Sequence, residues 1–299
     1  MIPPTRAALL AGILTIAAGG ACSKPSGSTT PAPPPPGDLE ARLQRVEAIL
    51  ARSADSLEFL QKVYDQQKRQ ADDEESREAA PGAVFAVAID QNVAAGLVEG
   101  GPAYVTIIKA FDFACPYCER MSPLMTEIVK EYQGKVRVVY MDRVVHDFAE
   151  QAHLAGCAAA KQGKFLPFKT AFWEKGFGPY SSSRGRERAA YEPEGLVAIA
   201  AGAQLDVGRF KTDMASRACA DLLARERVEL DKFNVDGTPT FIINGVFITG
   251  GMDKDSLRKI IDERLKIAEA SGVPAAQYYD REIFAKGEKK FRSKKEPKP

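Results

Sequence analysis

Hydrophobic residues recur at steps of three and four along residues 38–80, with Ser53 in one weak position. The apolar positions are Leu39, Leu43, Val46, Leu50, Leu57, Leu60 and Tyr64. This spacing predicts one long helix with a single apolar face and with Asp38 as its N-cap. Such a helix is poorly stable alone, so we expect a coiled-coil-like stalk over residues 38–67 that forms a homo-oligomer. An amphipathic helix folding back on its own domain is the alternative.

A different pattern begins after Pro81-Gly82. The β-rich runs Tyr104–Ala110 and Lys135–Met141 predict buried strands, and Glu119–Tyr132 between them predicts a helix. Two shorter β-rich runs surround Asn244-Gly245, a pair that favours a type I′ hairpin turn. An amphipathic helix over about residues 253–270 follows. These alternating elements indicate an α/β domain over residues 81–275.

Residues 143–233 interrupt this alternation with a helical pattern that contains no clear strand. The pattern predicts an inserted helical domain of about 90 residues. Aromatic residues within it recur at helical spacing, which favours core packing of the insertion against the sheet rather than a ligand cage. They are Phe165, Phe168, Phe172, Trp173 and Phe177.

The N-terminus has the pattern of an export signal. One positive charge precedes an apolar run over residues 7–18, which is too short to span a bilayer. Small residues then lead into Cys22, a sequence that resembles the lipobox of bacterial lipoproteins, although Gly19 stands where that family usually has Leu. The resemblance implies lipidation of Cys22 and anchoring in the periplasm or cell envelope. Ordinary cleavage after residue 21 that leaves a free Cys22 is the alternative.

Composition adds limits on function. Residues 22–37 are rich in Ser, Thr and Pro, which predicts an extended linker. Residues 276–299 form a basic tail, which we expect to be disordered beyond Lys286. Over the 299 residues, 41 Lys and Arg balance 40 Asp and Glu, so bulk charge does not indicate a nucleic-acid partner.

Candidate chemistry lies where the first predicted strand meets its helix, at Cys115-Pro116-Tyr117-Cys118. A cysteine at a helix N-terminus is near unsatisfied amides, which lower its pKa and favour the thiolate. Cys115 is therefore the predicted nucleophile and Cys118, one turn later, the resolving thiol. The same spacing occurs in half of a zinc site, but Cys157 and Cys219 stand alone and the chain has only two histidines. No metal is expected.

The F-x-x-C-P-Y-C sequence, together with Val235–Phe241 (VDGTPTF), resembles the DsbA-like thiol–disulfide oxidoreductases. The resemblance covers roughly residues 84–271 and implies a thioredoxin-like fold with a helical insertion. In that family the Thr-Pro bond is cis and faces the active disulfide, which here assigns Thr238 and Pro239, with Pro116 and Tyr117, to substrate binding. It implies no cofactor besides the Cys115–Cys118 disulfide.

Two further assignments come from the resemblance. In related exported proteins a second disulfide joins helices of the insertion, which implies a Cys157–Cys219 bond; two buried, inert thiols are the alternative. The family also carries a buried acid six residues before the first active cysteine, where this chain has Lys109. A lysine there would favour the thiolate and make the protein a stronger oxidant, unless its side chain points away from the site.

The predicted function is thiol–disulfide exchange on cysteine-containing substrate proteins. A monomeric oxidase would be recycled by a membrane redox partner, whereas an oligomer would suit disulfide isomerisation or reduction. A non-enzymatic lipoprotein chaperone or scaffold, with a purely structural disulfide, is the alternative from another class.

Overall fold

The computed structural model describes residues 39–297. The chain divides into two compact units, residues 1–66 and 67–299, and the helix Leu39–Arg77 (α1) runs across this boundary. None of the side chains of α1 is buried, and its heptad-spaced large apolar side chains are each more than half exposed. The predicted cap Asp38, the signal, the linker and Cys22 lie outside the described residues.

The second unit holds five strands in its described part. They are β1 (Val98–Glu99), β2 (Val105–Phe111), β3 (Val136–Asp142), β4 (Thr240–Ile243) and β5 (Val246–Thr249). The α-helices of this unit are α2 (Asp90–Ala94), α3 (Pro116–Glu131), α4 (Glu150–Ala160), α5 (Phe165–Phe172), α6 (Gly178–Ser182), α7 (Pro193–Gly202), α8 (Val207–Met214), α9 (Arg217–Asp231), α10 (Lys254–Ala270) and α11 (Ala275–Tyr278). Short 3₁₀ or π-helical turns cover Asp147–Ala149, Trp173–Phe177, Ala189–Tyr191 and Tyr279–Phe284. No helix within residues 39–297 combines the length and apolarity needed to cross a membrane.

The sheet has the order β1-β3-β2-β4-β5. Strands β2 and β3 are parallel and joined through α3, whereas β1, β4 and β5 each pair antiparallel with their neighbours. Every residue of β2 is buried, because each face of the strand packs into a separate cluster of apolar side chains. This is the thioredoxin-like fold with a helical insertion that the sequence predicted.

Two local expectations depend on backbone geometry. Asn244 and Gly245 have φ values of 41° and 86°, so both central residues of the β4–β5 turn are left-handed, which confirms the type I′ hairpin. Helix α3 begins three residues before the predicted Glu119, because Cys115 is its N-cap and Pro116 its first residue. Proline fits that position, where a missing N–H leaves no intrahelical bond unmade.

The described residues between 143 and 233 contain helices and no strand. Their aromatic side chains pack in the core, as predicted, around Phe113 in the loop that precedes the Cys-Pro-Tyr-Cys sequence. The ring of Phe113 lies 4.8 Å from that of Phe172 and 5.3 Å from that of Trp173, measured between centroids. The insertion is thus fixed directly against the loop that carries the cysteines.

The expectation of a disordered tail beyond Lys286 is wrong. Phe291 stacks on Phe85 at 5.4 Å between ring centroids, and the Glu288 N–H donates to the Val84 carbonyl at 2.7 Å. Lys294 forms an ion pair with Glu78. The prediction relied on the basic composition and overlooked Phe291. Packing of its ring and the backbone hydrogen bonds order the segment.

Candidate active site

Cys115 lies at the junction between the loop after β2 and the first turn of α3. Its backbone is extended, with φ −87° and ψ 118°, and its carbonyl accepts from the N–H groups of Cys118 and Glu119 at 3.1 and 3.2 Å. The residue is 4% exposed, and Cys118 is fully buried one turn into the helix. Both cysteines carry free thiols.

The loop before β4 forms the opposite wall of the site. The Thr238–Pro239 peptide bond is cis, and the Cys115 Sγ donates to the Thr238 carbonyl at 3.2 Å. The Gly250 N–H donates to the Pro239 carbonyl at 2.9 Å and ties this loop to the end of β5. The fold thus brings together two sequence motifs that are more than 120 residues apart.

The surroundings of the two thiols shift their pKa values in opposite directions. A hydrogen bond from the Cys118 thiol is the largest influence that lowers the pKa of Cys115; burial opposes it, but Thr238 and backbone N–H groups help to bring this pKa to about 6. Burial raises the pKa of Cys118 well above the ordinary thiol value. A thiolate therefore forms first on Cys115, the sulfur nearer the surface, which suits a nucleophile and a buried resolving partner.

Tyr117 is an exposed part of the motif. Its side chain is 56% exposed, and the Arg120 guanidinium lies 4.6 Å from its ring centroid. Pro116 beside it is also exposed. The surface around Cys115 thus combines an exposed aromatic ring with an exposed proline in the first turn of α3.

Lys109 does not point away from the site. It lies in the middle of β2, is 1% exposed, and its Nζ donates to the Cys118 carbonyl at 3.1 Å. Its side chain shares the face of the sheet on which α3 packs, so the structure places a cationic group directly behind the two thiols.

Asp112 is a site residue that the sequence analysis missed. Its carboxylate is fully buried and accepts from the backbone N–H groups of Ala114, Val145 and His146 at 2.6 to 2.8 Å. The signal was available, since one acid stands between two phenylalanines immediately before the C-x-x-C motif. Asp112 fixes the loop that carries Cys115 against the segment after β3.

A buried histidine lies beside this carboxylate. His153 contacts Asp142 through Nδ1 at 2.6 Å, and its Nε2 lies 3.8 Å from the Asp112 carboxylate. Burial alone would lower the pKa of His153, but the two carboxylates raise it to about 9. Although burial opposes the shift, the same histidine and backbone N–H groups hold the pKa of Asp112 well below its usual range.

The remaining two cysteines of the described chain form a disulfide away from this site. Cys157 of α4 and Cys219 of α9 are bonded, with Cα atoms 5.7 Å apart and a sequence separation of 62. Within residues 39–297 no group of three or more His, Cys, Asp or Glu side chains is arranged to hold a metal ion.

Comparison with known proteins places this geometry in a family. The profile described as Thioredoxin matches residues 95–263. The Na(+)/H(+) antiporter NhaA 3 of Salinispora tropica is 34% identical over 144 residues, which are 47% of this chain and 20% of that protein. The chain thus spans about a fifth of the length of that relative. The probable disulfide bond formation protein D of Bacillus anthracis is 26% identical over 167 residues, which are 54% of this chain and 74% of that protein.

A solved structure matches the described fold. The oxidised form of BdbD from Bacillus subtilis superposes with a TM-score of 0.50 at 19% identity, and the match covers 63% of this chain and 99% of that one. The Thioredoxin profile covers more than half of the chain and includes Cys115, Cys118 and the cis-proline loop. This chain therefore belongs to the thioredoxin family.

Proposed function

We propose that this protein is an exported oxidoreductase that donates its Cys115–Cys118 disulfide to cysteine pairs of substrate proteins. The observation that carries the proposal is the lowered pKa of Cys115, about 6, beside the fully buried Cys118. A stabilised thiolate favours the reduced pair over the disulfide, and a pair that favours its reduced form is an oxidant.

The exchange takes two steps. A substrate thiolate attacks Cys115 Sγ, the Cys115–Cys118 bond breaks, and its electron pair passes to Cys118. A second substrate thiolate then attacks the substrate sulfur of the mixed disulfide, and Cys115 leaves as the thiolate. The substrate gains one disulfide and the protein ends as a dithiol, so the two electrons move from substrate to protein.

Substrate binding is assigned to the surface beside Cys115. The backbone of Thr238 and Pro239 would pair with an extended substrate segment that flanks the reacting cysteine. Exposed Tyr117 and Pro116 would contact the other side of that segment.

The direction of electron flow is tested by equilibrating the full chain with glutathione redox buffers and measuring the dithiol fraction. We expect a reduction potential above about −200 mV, in the range of strongly oxidising relatives of thioredoxin. A potential near about −270 mV would instead identify a reductant and contradict the proposed direction.

Action on proteins is tested with Cys118→Ala, which removes the resolving thiol. In cells this variant should accumulate mixed disulfides between Cys115 and substrate proteins, released by reductant on a non-reducing gel. Cys115→Ala is the matched control and should trap nothing. If Cys118→Ala also traps nothing while unfolded chains still bind, the non-enzymatic chaperone is the better description.

A second candidate, an oligomeric disulfide isomerase, is favoured by the exposed apolar stripe of α1 over residues 39–66. We propose that this stripe self-associates through its heptad positions and that lipidated Cys22 anchors the assembly, with a membrane redox partner recycling the site. Sedimentation tests it: Leu50→Lys with Leu57→Lys should give a monomer, whereas Arg45→Lys leaves the assembly unchanged. A monomer for the unmodified chain would remove the isomerase candidate.

A further inference from the structure

Behind the two thiols the protein carries a cluster of buried charged side chains that extends across the sheet. Lys109 of β2 stands directly opposite Tyr140 of β3 in the parallel register, and both are buried on the face that packs against α3. The Lys109 Nζ lies 6.0 Å from the Tyr140 ring centroid and donates to the Cys118 carbonyl at 3.1 Å. This places an amine next to the residue whose thiol must gain and lose a proton.

Tyr140 lies between the Lys109 amine and a buried pair of charged side chains, Glu99 and Lys169. Its hydroxyl donates to Glu99 of β1 at 2.6 Å and accepts from Lys169 of α5 at 2.6 Å. Lys169 lies 3.5 Å from the Glu99 carboxylate and 4.1 Å from the Tyr140 ring centroid. Glu99 is 6% and Lys169 2% exposed. Both line an open groove of about 600 Å³, which Thr126 of α3 also lines, so the cluster extends from the Cys118 backbone to this groove.

The charges in this cluster do not cancel, because one carboxylate faces two amines. Burial lowers the pKa of Lys109 to about 8, and the thiolate charges of Cys118 and Cys115 oppose that change. Glu99 and Glu119 oppose it further. The amine is therefore partly neutral near neutral pH and can exchange a proton with a neighbouring group.

Lys169 responds to the same partners. Burial lowers its pKa to about 8, Glu99 raises it and the like charge of Lys109 lowers it. Burial, with the adjacent Glu99, holds the pKa of Tyr140 well above its usual value, so its hydroxyl stays protonated and acts as the bridge between the carboxylate and Lys169. The charge state of Lys109 is thus coupled to two residues that do not touch the cysteines.

We propose that Lys109 exchanges the proton of Cys118 during thiol–disulfide exchange, and that Glu99, Tyr140 and Lys169 are positioning residues that set the charge of its amine. The inference rests on the proposed function. When the Cys115–Cys118 bond breaks, its electron pair goes to Cys118 and the Lys109 ammonium gives that sulfur a proton. In the reverse step the neutral amine takes the proton, Cys118 attacks Cys115, and the substrate sulfur leaves with its electron pair.

The reverse step can be followed directly by stopped flow. The full chain carries Cys22→Ser in every sample, so that Cys115 and Cys118 supply the reacting thiols. Reduced protein is mixed with dithionitrobenzoate, an aromatic disulfide. The first release of coloured thionitrobenzoate reports attack by Cys115, and the second reports attack of Cys118 on the mixed disulfide. The second rate is measured against pH.

In Lys109→Met we expect the second phase to slow by about tenfold or more near pH 8, while the first phase changes by less than about threefold. Methionine suits the apolar face on which Lys109 lies, and thermal unfolding of the oxidised variant checks the fold. An unchanged second phase in a folded variant would overturn the proposal.

Variants of Glu99 and Lys169 should shift the pH midpoint of the second phase in opposite directions, which a purely structural role would not explain. Glu99→Gln removes the charge that favours the Lys109 ammonium, so the pH midpoint of the second phase should fall by about half a unit or more. Lys169→Met removes a like charge, so the midpoint should rise. These variants decide the question if Lys109→Met does not fold, and shifts of the same sign, or none, would refute the coupling. If the first phase is absent from the unmodified protein, the proposed function fails instead.

Discussion

Two cysteine pairs in the second unit differ in their bonding, although each includes a cysteine at the N-terminal end of a helix. Cys115 caps α3, and Cys219 also lies in the first turn of its helix, where its N–H donates to the Ser216 hydroxyl at 3.4 Å. Yet the first pair is reduced and the second is bonded. A helix N-terminus alone therefore does not make a cysteine pair reactive.

The difference follows from the partners of each sulfur. Cys118 follows Cys115 by three residues, so their bond closes a minimal loop and little chain entropy favours it, whereas Cys157 and Cys219 close a loop across 62 residues. Hydrogen bonds from the Cys118 thiol, from Thr238 and from backbone N–H groups also lower the pKa of Cys115, although burial opposes them. We therefore expect short closure and a stabilised thiolate to favour exchange at the first pair, and long closure to favour a structural bond at the second.

The largest expected effect tests whether thiol–disulfide exchange depends on the first cysteine pair and not on the second. Cys115→Ser should abolish exchange with glutathione, a loss of about a thousandfold or more, because the buried Cys118 keeps its proton and offers no accessible nucleophile. Exchange is measured by the rate of mixed-disulfide formation under mass spectrometry. The double variant Cys157→Ser with Cys219→Ser is the control and should retain this rate within about threefold.

The same double variant should instead lose stability. Releasing a loop of 62 residues should lower the free energy of unfolding by about 4 kcal/mol, measured by denaturant titration of the full chain. Reduction of the Cys115–Cys118 pair should change it far less. A loss below about 1 kcal/mol for the double variant would mean that helices α4 and α9 are held by packing alone.

The two pairs also show what the sequence can and cannot predict. The positions of Cys115 and Cys118 can be predicted from local sequence, because a buried strand, the C-x-x-C motif and a helix are consecutive. The Thr-Pro motif predicts the loop on the opposite side of the site. Asp112 and the burial of Lys109 are not local, since their partners come from segments distant in sequence. The packed tail was missed for the same reason, because Phe291 stacks on Phe85, which lies some two hundred residues earlier in the sequence.

Variants of Asp112 test whether its hydrogen bonds stabilise the loop that carries Cys115. Asp112→Ala should lower the free energy of unfolding by about 2–3 kcal/mol, because it leaves three backbone N–H groups without their buried acceptor. Asp112→Asn keeps one acceptor oxygen and should cost less. Denaturant unfolding measures both, and equal losses would show that the charge of Asp112, rather than its hydrogen bonds, is what matters.

The smallest expected effect is a dependence of stability on pH that belongs to one pair only. The pKa of Cys115 is lowered from 9.0 to about 6 in the folded dithiol, so its thiolate stabilises the folded state fully above pH 9 and loses that contribution as pH falls through 6. Between pH 7 and pH 5 the reduced protein should lose about 1 kcal/mol relative to the oxidised protein, whose two disulfides do not titrate. Paired denaturant curves of both redox forms measure the difference, and Cys115→Ser should remove it. A stability difference that stays constant over this range would mean that Cys115 is not a thiolate at neutral pH, and the pair would then have lost the feature that separates it from Cys157–Cys219.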